Sequence, residues 1–260
     1  MCTLALYLRQ FEDYPLVVAA NRDEHFSRPS APPELLANGP SIFGGKDLVA
    51  GGTWLGVNEY GVVAGIVNRR IEPVKPIDRP RSRGLLCLDM LRAENDGQLH
   101  KRLEREDGSK YQPFLLLIAS AEAAFVAINS GDEIKRMELD GGLHVFSNTS
   151  FTDSRGGKLD HARELFSTAE TSLRMQLKGP RAQLDAAVGV LRGVLSSHIS
   201  ADNSQEPRDA ICVHTAGAAY GTVSSSVIFF ARREKKFYFY HADGSPCRAG
   251  YQAVEVPELS

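Results

Sequence analysis

Near the start of the chain the sequence reads Met1-Cys2-Thr3-Leu4-Ala5-Leu6-Tyr7-Leu8, and after a polar turn around Glu12-Asp13-Tyr14-Pro15 it continues Leu16-Val17-Val18-Ala19-Ala20-Asn21-Arg22-Asp23-Glu24. Two apolar runs separated by turn residues predict a β-hairpin. In an antiparallel pair the far end of the second strand returns to the beginning of the first, so Asn21 to Glu24 are expected beside Cys2. A cysteine at the amino terminus carries a thiol nucleophile and an amine base on one residue. Removal of Met1 would create that arrangement. The structural alternative for Cys2 is an inert packing thiol.

Working outward, Phe26 to Asp47 is rich in Pro, Gly and Ser and reads as a long loop over a sheet rim. Strands are expected at 50–57, after the pair Gly51-Gly52, and at 62–67, ending at Asn68. Apolar spacing predicts helices over Ser82 to Ala93 and, after a break, Gln98 to Arg105. Short strands follow at 114–118, 123–128, 134–139 and 143–146. Helical spacing returns in Leu159, Ala162, Leu165 and Phe166, and again from Leu184 to Leu195 with Pro180 at the start. Strands at 210–214, 222–231, 236–241 and 253–256 close the chain. Alternating blocks of strands and helices, with no linker or repeat, predict one α+β domain over residues 1–260, with two sheets covered by helices.

Composition narrows the function classes. The 260 residues are 43% hydrophobic and 24% charged, with a formal net charge of -2; this is globular composition without the basic excess of a nucleic-acid binder. The densest basic groups are residues 79–83 and 232–236, the second expected as a solvated hairpin turn. No apolar run reaches the roughly 18 residues that a membrane span requires. Cys2, Cys87, Cys212 and Cys247 form no C-x-x-C pair, so neither a zinc site nor another metal is expected, and no cofactor. Without a visible signal peptide, a cytoplasmic location is the default.

The chemistry is expected at one sheet end. With Met1 gone, the Cys2 amine would have a pKa of about 7.7 to 8.0 against about 8.5 for the thiol, close enough to take its proton. Asp23 and Arg22 can orient the terminal groups and tune the thiol, or else form a surface ion cluster. Asn68 and Asn148 each end an apolar strand and could donate to an oxyanion, or cap turns. Trp54, within Gly51-Gly52-Thr53-Trp54-Leu55-Gly56, could wall a substrate pocket or pack half-buried. His144, His161 and His214 read as ordinary histidines.

Taken together, Met1-Cys2-Thr3, Asn21-Arg22-Asp23-Glu24, Gly51-Gly52-Thr53-Trp54-Leu55-Gly56, Asn58-Glu59-Tyr60-Gly61, Phe146-Ser147-Asn148 and Tyr220-Gly221-Thr222 resemble the NRDE family, which includes the transport-and-Golgi-organization proteins. More distantly the order is similar to bile salt hydrolases and penicillin V acylases, N-terminal nucleophile hydrolases with a four-layer αββα sandwich. That resemblance implies Cys2 as nucleophile, Asp23 as orienting carboxylate, Asn68 as oxyanion donor and Asn148 as a further polar contact. Asn21, Arg22, Glu24 and Trp54 are then expected around a small-molecule amide substrate. The acylases' arginine three residues before the aspartate is missing here, and Val223-Ser224-Ser225-Ser226 stands where a late arginine is expected. The alternative implied by resemblance is a protein that binds or carries a small apolar ligand, haem or lipid, with Cys2 or a nearby histidine available to iron.

Overall fold

The computed structural model describes residues 2–69, 71, 77–148, 157–179, 182–199, 207–215, 217 and 219–256. In chain order its strands and helices are β1 (Thr3–Leu8), β2 (Leu16–His25), β3 (Ser30–Ala37), β4 (Ile42–Asp47), β5 (Leu55–Asn58), β6 (Val63–Asn68), α1 (Arg83–Met90) and α2 (Asp96–Leu103). They continue with β7 (Phe114–Ala119), β8 (Ala124–Asn129), β9 (Ile134–Glu138), β10 (Gly142–Ser147), α3 (Gly157–Gln176), α4 (Leu184–Leu195), β11 (Tyr220–Ala231), β12 (Lys236–Ala242) and β13 (Gln252–Val254). The chain divides into two compact units, residues 1–27 with 141–255, and residues 28–140 with 256–260.

The first unit holds an antiparallel sheet in the order β10-β1-β2-β11-β12-β13, with α3 and α4 against it. Ala5, Tyr7, Val17, Ala19, Val227 and Phe229 point to one face. There they meet Leu159, Ala162, Phe166 and Leu173 of α3 and Ala187, Leu191 and Leu195 of α4. The alternate residues Leu4, Leu6, Leu8, Leu16 and Val18 are buried as well. A strand buried on both faces has no polar side to show, which is why these runs are continuously apolar. The register pairs Thr3 with both Asn21 and Ser147, returning the far end of β2 to the start of β1 as the hairpin spacing predicts. Residues 232–235 form the β11–β12 turn, as expected.

The second unit holds an antiparallel sheet in sequential order from β3 to β9. Leu86, Cys87, Met90 and Leu91 of the α1 region, with Leu99 and Leu103 of α2, cover Ile42, Ala64, Ile66, Leu116, Ile118 and Phe125. Ser82 and Asn95 cap the two helices by accepting from the backbone N–H three residues on. Gly52 lies so close to Gly84 that an added Cβ would stand 2.1 Å from its carbonyl carbon; this close approach accounts for the second glycine of the pair, while Gly51 takes a φ of 76°. Arg81, in the first basic group, is engaged by Asp89 and Glu106, so that group is a folded ion cluster.

Three expectations change. Residues 26–47 are not a loop: 30–37 and 42–47 are strands. The prolines that suggested otherwise, Pro32 and Pro33, sit in the edge strand β3 where its register shifts, a place that tolerates a missing N–H. Residues 210–214 are not a strand but make one isolated bridge, His214 to Gly221. Their backbone groups are satisfied elsewhere, Ile211 O by the Asn21 side chain and Cys212 N by Ser197 O. Finally, the surface-cluster alternative for Arg22 and Asp23 does not hold: Asn21 to Glu24 lie inside β2, with Asn21, Arg22 and Asp23 buried. Pro180 and Thr149 lie outside the described residues.

Candidate functional site

The first unit gathers its buried polar groups at the end of the sheet where β1 begins. Cys2, just before β1, is half-buried, and its backbone N–H donates to Oδ1 of Asn148, the residue after β10. Its Sγ lies 4.0 Å from the carbonyl oxygen of Asp23. Burial pushes the Cys2 thiol above its ordinary range. Cys2, Asp23 and Asn148, three residues read from the sequence as one site, therefore do meet.

Asp23 is fully enclosed. Oδ1 accepts a hydrogen bond from Thr222 Oγ1 at 2.6 Å, and Oδ2 lies 3.8 Å from Lys158 Nζ. Burial raises the carboxyl pKa, and Lys158 and Thr222 act against it without reversing the shift. Lys158 Nζ also donates to the Arg208 carbonyl at 3.3 Å. Tyr220 completes the surround by donating its hydroxyl to the Asp23 carbonyl at 3.0 Å. Tyr220-Gly221-Thr222 is thus the segment that holds Asp23, and a Cβ on Gly221 would meet the Val213 carbonyl at 2.8 Å.

Lys158 was not expected. It stands in the first turn of α3, at the positive end of the helix dipole, where a lysine is locally unfavourable; a lysine placed against that preference beside Leu159 was the signal for a tertiary anion. Asn21 is held by the fold: its Nδ2 donates to Leu195 O at 2.8 Å and Ile211 O at 3.0 Å, and its Oδ1 accepts from Ser225 at 2.7 Å. Arg22 is buried in β2 opposite Ser224, past the register shift between Thr222 and Ser224. Glu24 accepts from the His25 N–H through its own carboxylate at 2.9 Å. Ser225 and Ser226, which stand where a late arginine was expected, bond to Tyr251 and to His241.

Asn68 and Trp54 belong to the second unit. Asn68 is the last residue of β6, opposite Phe114. Trp54 packs half-buried against that unit's core, its ring so close to Gly45 that an added Cβ would stand 2.3 Å away.

A second cluster was invisible to residue spacing. Cys212, His214 and Cys247, with His198, bring all four potential ligand atoms within 4.8 Å of one another. Cys212 Sγ and His214 Nε2 lie 3.5 Å apart, and their separation of two residues was the local hint. A groove of about 540 Å³ runs between α3 and α4, lined by Leu165, Ala169, Val190, Val194 and Ile199, with His198 at its rim.

Comparison with known families decides the chain's ancestry: the Transport and Golgi organisation 2 (TANGO2) model matches residues 1–242. The chain belongs to the TANGO2 family. A TANGO2 homolog of Bos taurus is 30% identical over 205 residues, 76% of this chain and 70% of its own length. The Mus musculus homolog is 28% identical over 230 residues, covering 83% and 82%. Among solved structures, a conjugated bile acid hydrolase variant from Clostridium perfringens has a TM-score of 0.54 at 10% identity, covering 100% of this chain and 98% of its own. The Caenorhabditis elegans ortholog of N-acylethanolamine-hydrolyzing acid amidase has a TM-score of 0.54 at 13% identity, covering 98% and 100%. At such identity the likeness is one of fold: this TANGO2-family chain is an α+β protein whose fold resembles that of the N-terminal nucleophile hydrolases. Among the described residues no helix is long and apolar enough to cross a membrane.

Proposed function

We infer that this chain uses the hydrolase fold to bind and carry a small apolar ligand, of the haem or lipid class, rather than to hydrolyse amides. One observation carries this reading: the Cys2 thiol sits in a setting that keeps it protonated. Burial pushes its pKa up, its Sγ lies 4.0 Å from the carbonyl oxygen of Asp23, and thiolate rather than thiol is the nucleophile. The Asp23 carboxylate is held by the fold, Oδ1 accepting from Thr222 and Oδ2 facing Lys158 Nζ at 3.8 Å. Family membership with the TANGO2 proteins points the same way. The groove between α3 and α4, apolar along Leu165, Val190 and Ile199 and polar at Thr168, Ser197 and His198, offers the ligand a surface.

The experiment is a titration of the full chain with haem, followed by Soret absorbance, and in parallel with a fluorescent fatty acid. Saturable binding of either at one ligand per chain is expected. No binding of either, together with amide turnover that vanishes in Cys2→Ser, would overturn the reading.

A second reading rests on the convergence of Cys2, Asp23 and Asn148. If Met1 is removed, the freed amine can take the Cys2 proton and the thiolate can attack an amide carbonyl. The amine then protonates the leaving nitrogen, and water releases the acyl group from the thioester. In that form Asn148 Oδ1 would orient the amine and Asp23 the terminal groups. Intact mass of the protein from its native source, read beside turnover of simple N-acyl amides, separates the two readings: loss of one methionine with turnover favours this one.

A further inference from the structure

We propose that His198, Cys212, His214 and Cys247 form a Cys₂His₂ site for a structural zinc ion. The distances are those of a tetrahedron awaiting its centre. With Zn–S of about 2.3 Å and Zn–N of about 2.0 to 2.1 Å, tetrahedral angles place sulfur atoms about 3.8 Å apart and sulfur and nitrogen about 3.5 Å apart. The Cys212 and Cys247 sulfurs are 3.7 Å apart. Nε2 of His214 lies 3.5 Å from the Cys212 sulfur and 3.2 Å from that of Cys247. Three ligands therefore already have the spacing. His198, exposed and within the same 4.8 Å group, supplies the fourth donor.

The donor chemistry selects the ion. Two thiolates and two neutral imidazoles suit zinc, and four protein ligands leave no open position, which makes the site structural and not catalytic. Zinc binding displaces one proton from each thiol, and two thiolates with one Zn²⁺ make a neutral centre that a partly buried site accommodates. Without an ion the group has little to hold it together, since a thiol is a weak donor and a weak acceptor. A disulfide does not explain it either: a bond needs about 2.05 Å between sulfurs, and both cysteines are free. His198 also lines the groove between α3 and α4, so the zinc site adjoins the surface offered to a ligand under the preceding reading.

The cluster ties together three segments that share no strand ladder with one another. His198 follows the end of α4, Cys212 and His214 lie in the stretch before β11, and Cys247 lies in the turn after β12. Around them, Cys212 N donates to Ser197 O at 2.8 Å, and the Cys247 turn is closed by Ala249 N donating to Ser245 O at 2.8 Å. The same stretch carries Ile211, whose carbonyl accepts from Asn21, so the ion would brace the segment lying behind the Asn21-Arg22-Asp23 strand.

The test is Co²⁺ titration of the reduced, chelator-stripped full chain, read by absorbance, followed by displacement with Zn²⁺. Saturation at one Co²⁺ per chain is expected, with a thiolate-to-cobalt charge-transfer band and the intense visible bands of tetrahedral cobalt. Zn²⁺ should protect Cys212 and Cys247 from alkylation while leaving Cys2 and Cys87 as before, and should raise the thermal midpoint. Cys247→Ser should weaken binding more than about 100-fold, beyond the usual loss of an outer-shell partner, and His198→Asn, at an exposed position, should weaken it less and shift the visible bands. Absence of the charge-transfer band in the folded wild-type chain would overturn the proposal. So would equal alkylation of Cys212 and Cys247 with and without Zn²⁺, or a Cys212–Cys247 disulfide in protein purified under reductant.

Discussion

The two units have the same plan, an antiparallel sheet with a pair of helices on one face, yet they bury different chemistry. In the second unit the buried asparagines are staples. Asn58 donates to Leu91 O and Ala93 O and accepts from the N–H groups of Tyr60 and Val62; Asn129 ties Gly108 and Tyr111 in the same way. Each holds a loop by closing its backbone groups, as neutral buried amides do. The first unit buries Arg22, Asp23 and Lys158 as well, at the sheet end that also carries Cys2 and Asn148. Charges in an interior are expensive, and replacing them with apolar groups is often neutral or stabilising. Among the described residues such buried charges occur in the first unit only.

Substitutions can break this contrast. Lys158→Met should have the largest effect, destabilising the chain by about 3–5 kcal/mol in urea unfolding because it strands a buried carboxylate, with Asp23→Asn added to it restoring most of the loss. The pH response gives the sign. Burial raises the Asp23 carboxyl in the folded state, so its contribution is fully present below its ordinary value of 3.8 and lost as pH rises through the raised one; Lys158→Met should move that loss to higher pH. Equal unfolding midpoints for wild type and Lys158→Met across this range would remove the distinction between the units.

His241 sharpens the contrast from the other direction. It is buried against Ser226, and burial lowers its pKa from 6.5 to about 4. A histidine depressed on folding contributes stability above its unfolded pKa and loses it as pH falls through the folded one. Stability should therefore fall between pH 6.5 and about 4, by up to about 3 kcal/mol, and His241→Gln should flatten that part of the profile. In the second unit, Asn58→Ala should cost about 2–3 kcal/mol through its unsatisfied backbone partners, with no pH dependence over the same interval. The smallest effect is expected where exposed Arg233 pairs with half-buried Asp13; Arg233→Ala should change stability by less than about 1 kcal/mol.

How much of this was legible in the chain follows from what each residue depends on. The β1–β2 hairpin was readable because both strands are local and continuously apolar, and from it the meeting of Cys2 with Asp23 followed. Asn148 is far along the chain, and its placement depended on β10 pairing with β1, a long-range register that the resemblance supplied. Edge strand β3 was hidden by its prolines. Lys158 and the His198–Cys212–His214–Cys247 cluster depend on how α3, α4 and two turns close over the sheet, and no periodicity encodes that. Spacing alone argued against a metal because the cysteines are dispersed in sequence; the fold brings two of them together across 35 residues.

Cys2 is expected to rest as a protonated, unactivated thiol at the sheet end. The direct measurement is the alkylation rate of Cys2 by iodoacetamide near neutral pH in the full-length chain, followed residue by residue by mass spectrometry, with the state of Met1 fixed beforehand by intact mass. In the Met1-bearing chain Cys2 should react more slowly than a free cysteine, because burial raises its pKa. Reaction faster than free cysteine, accompanied by release of amine from an amide substrate, would contradict it.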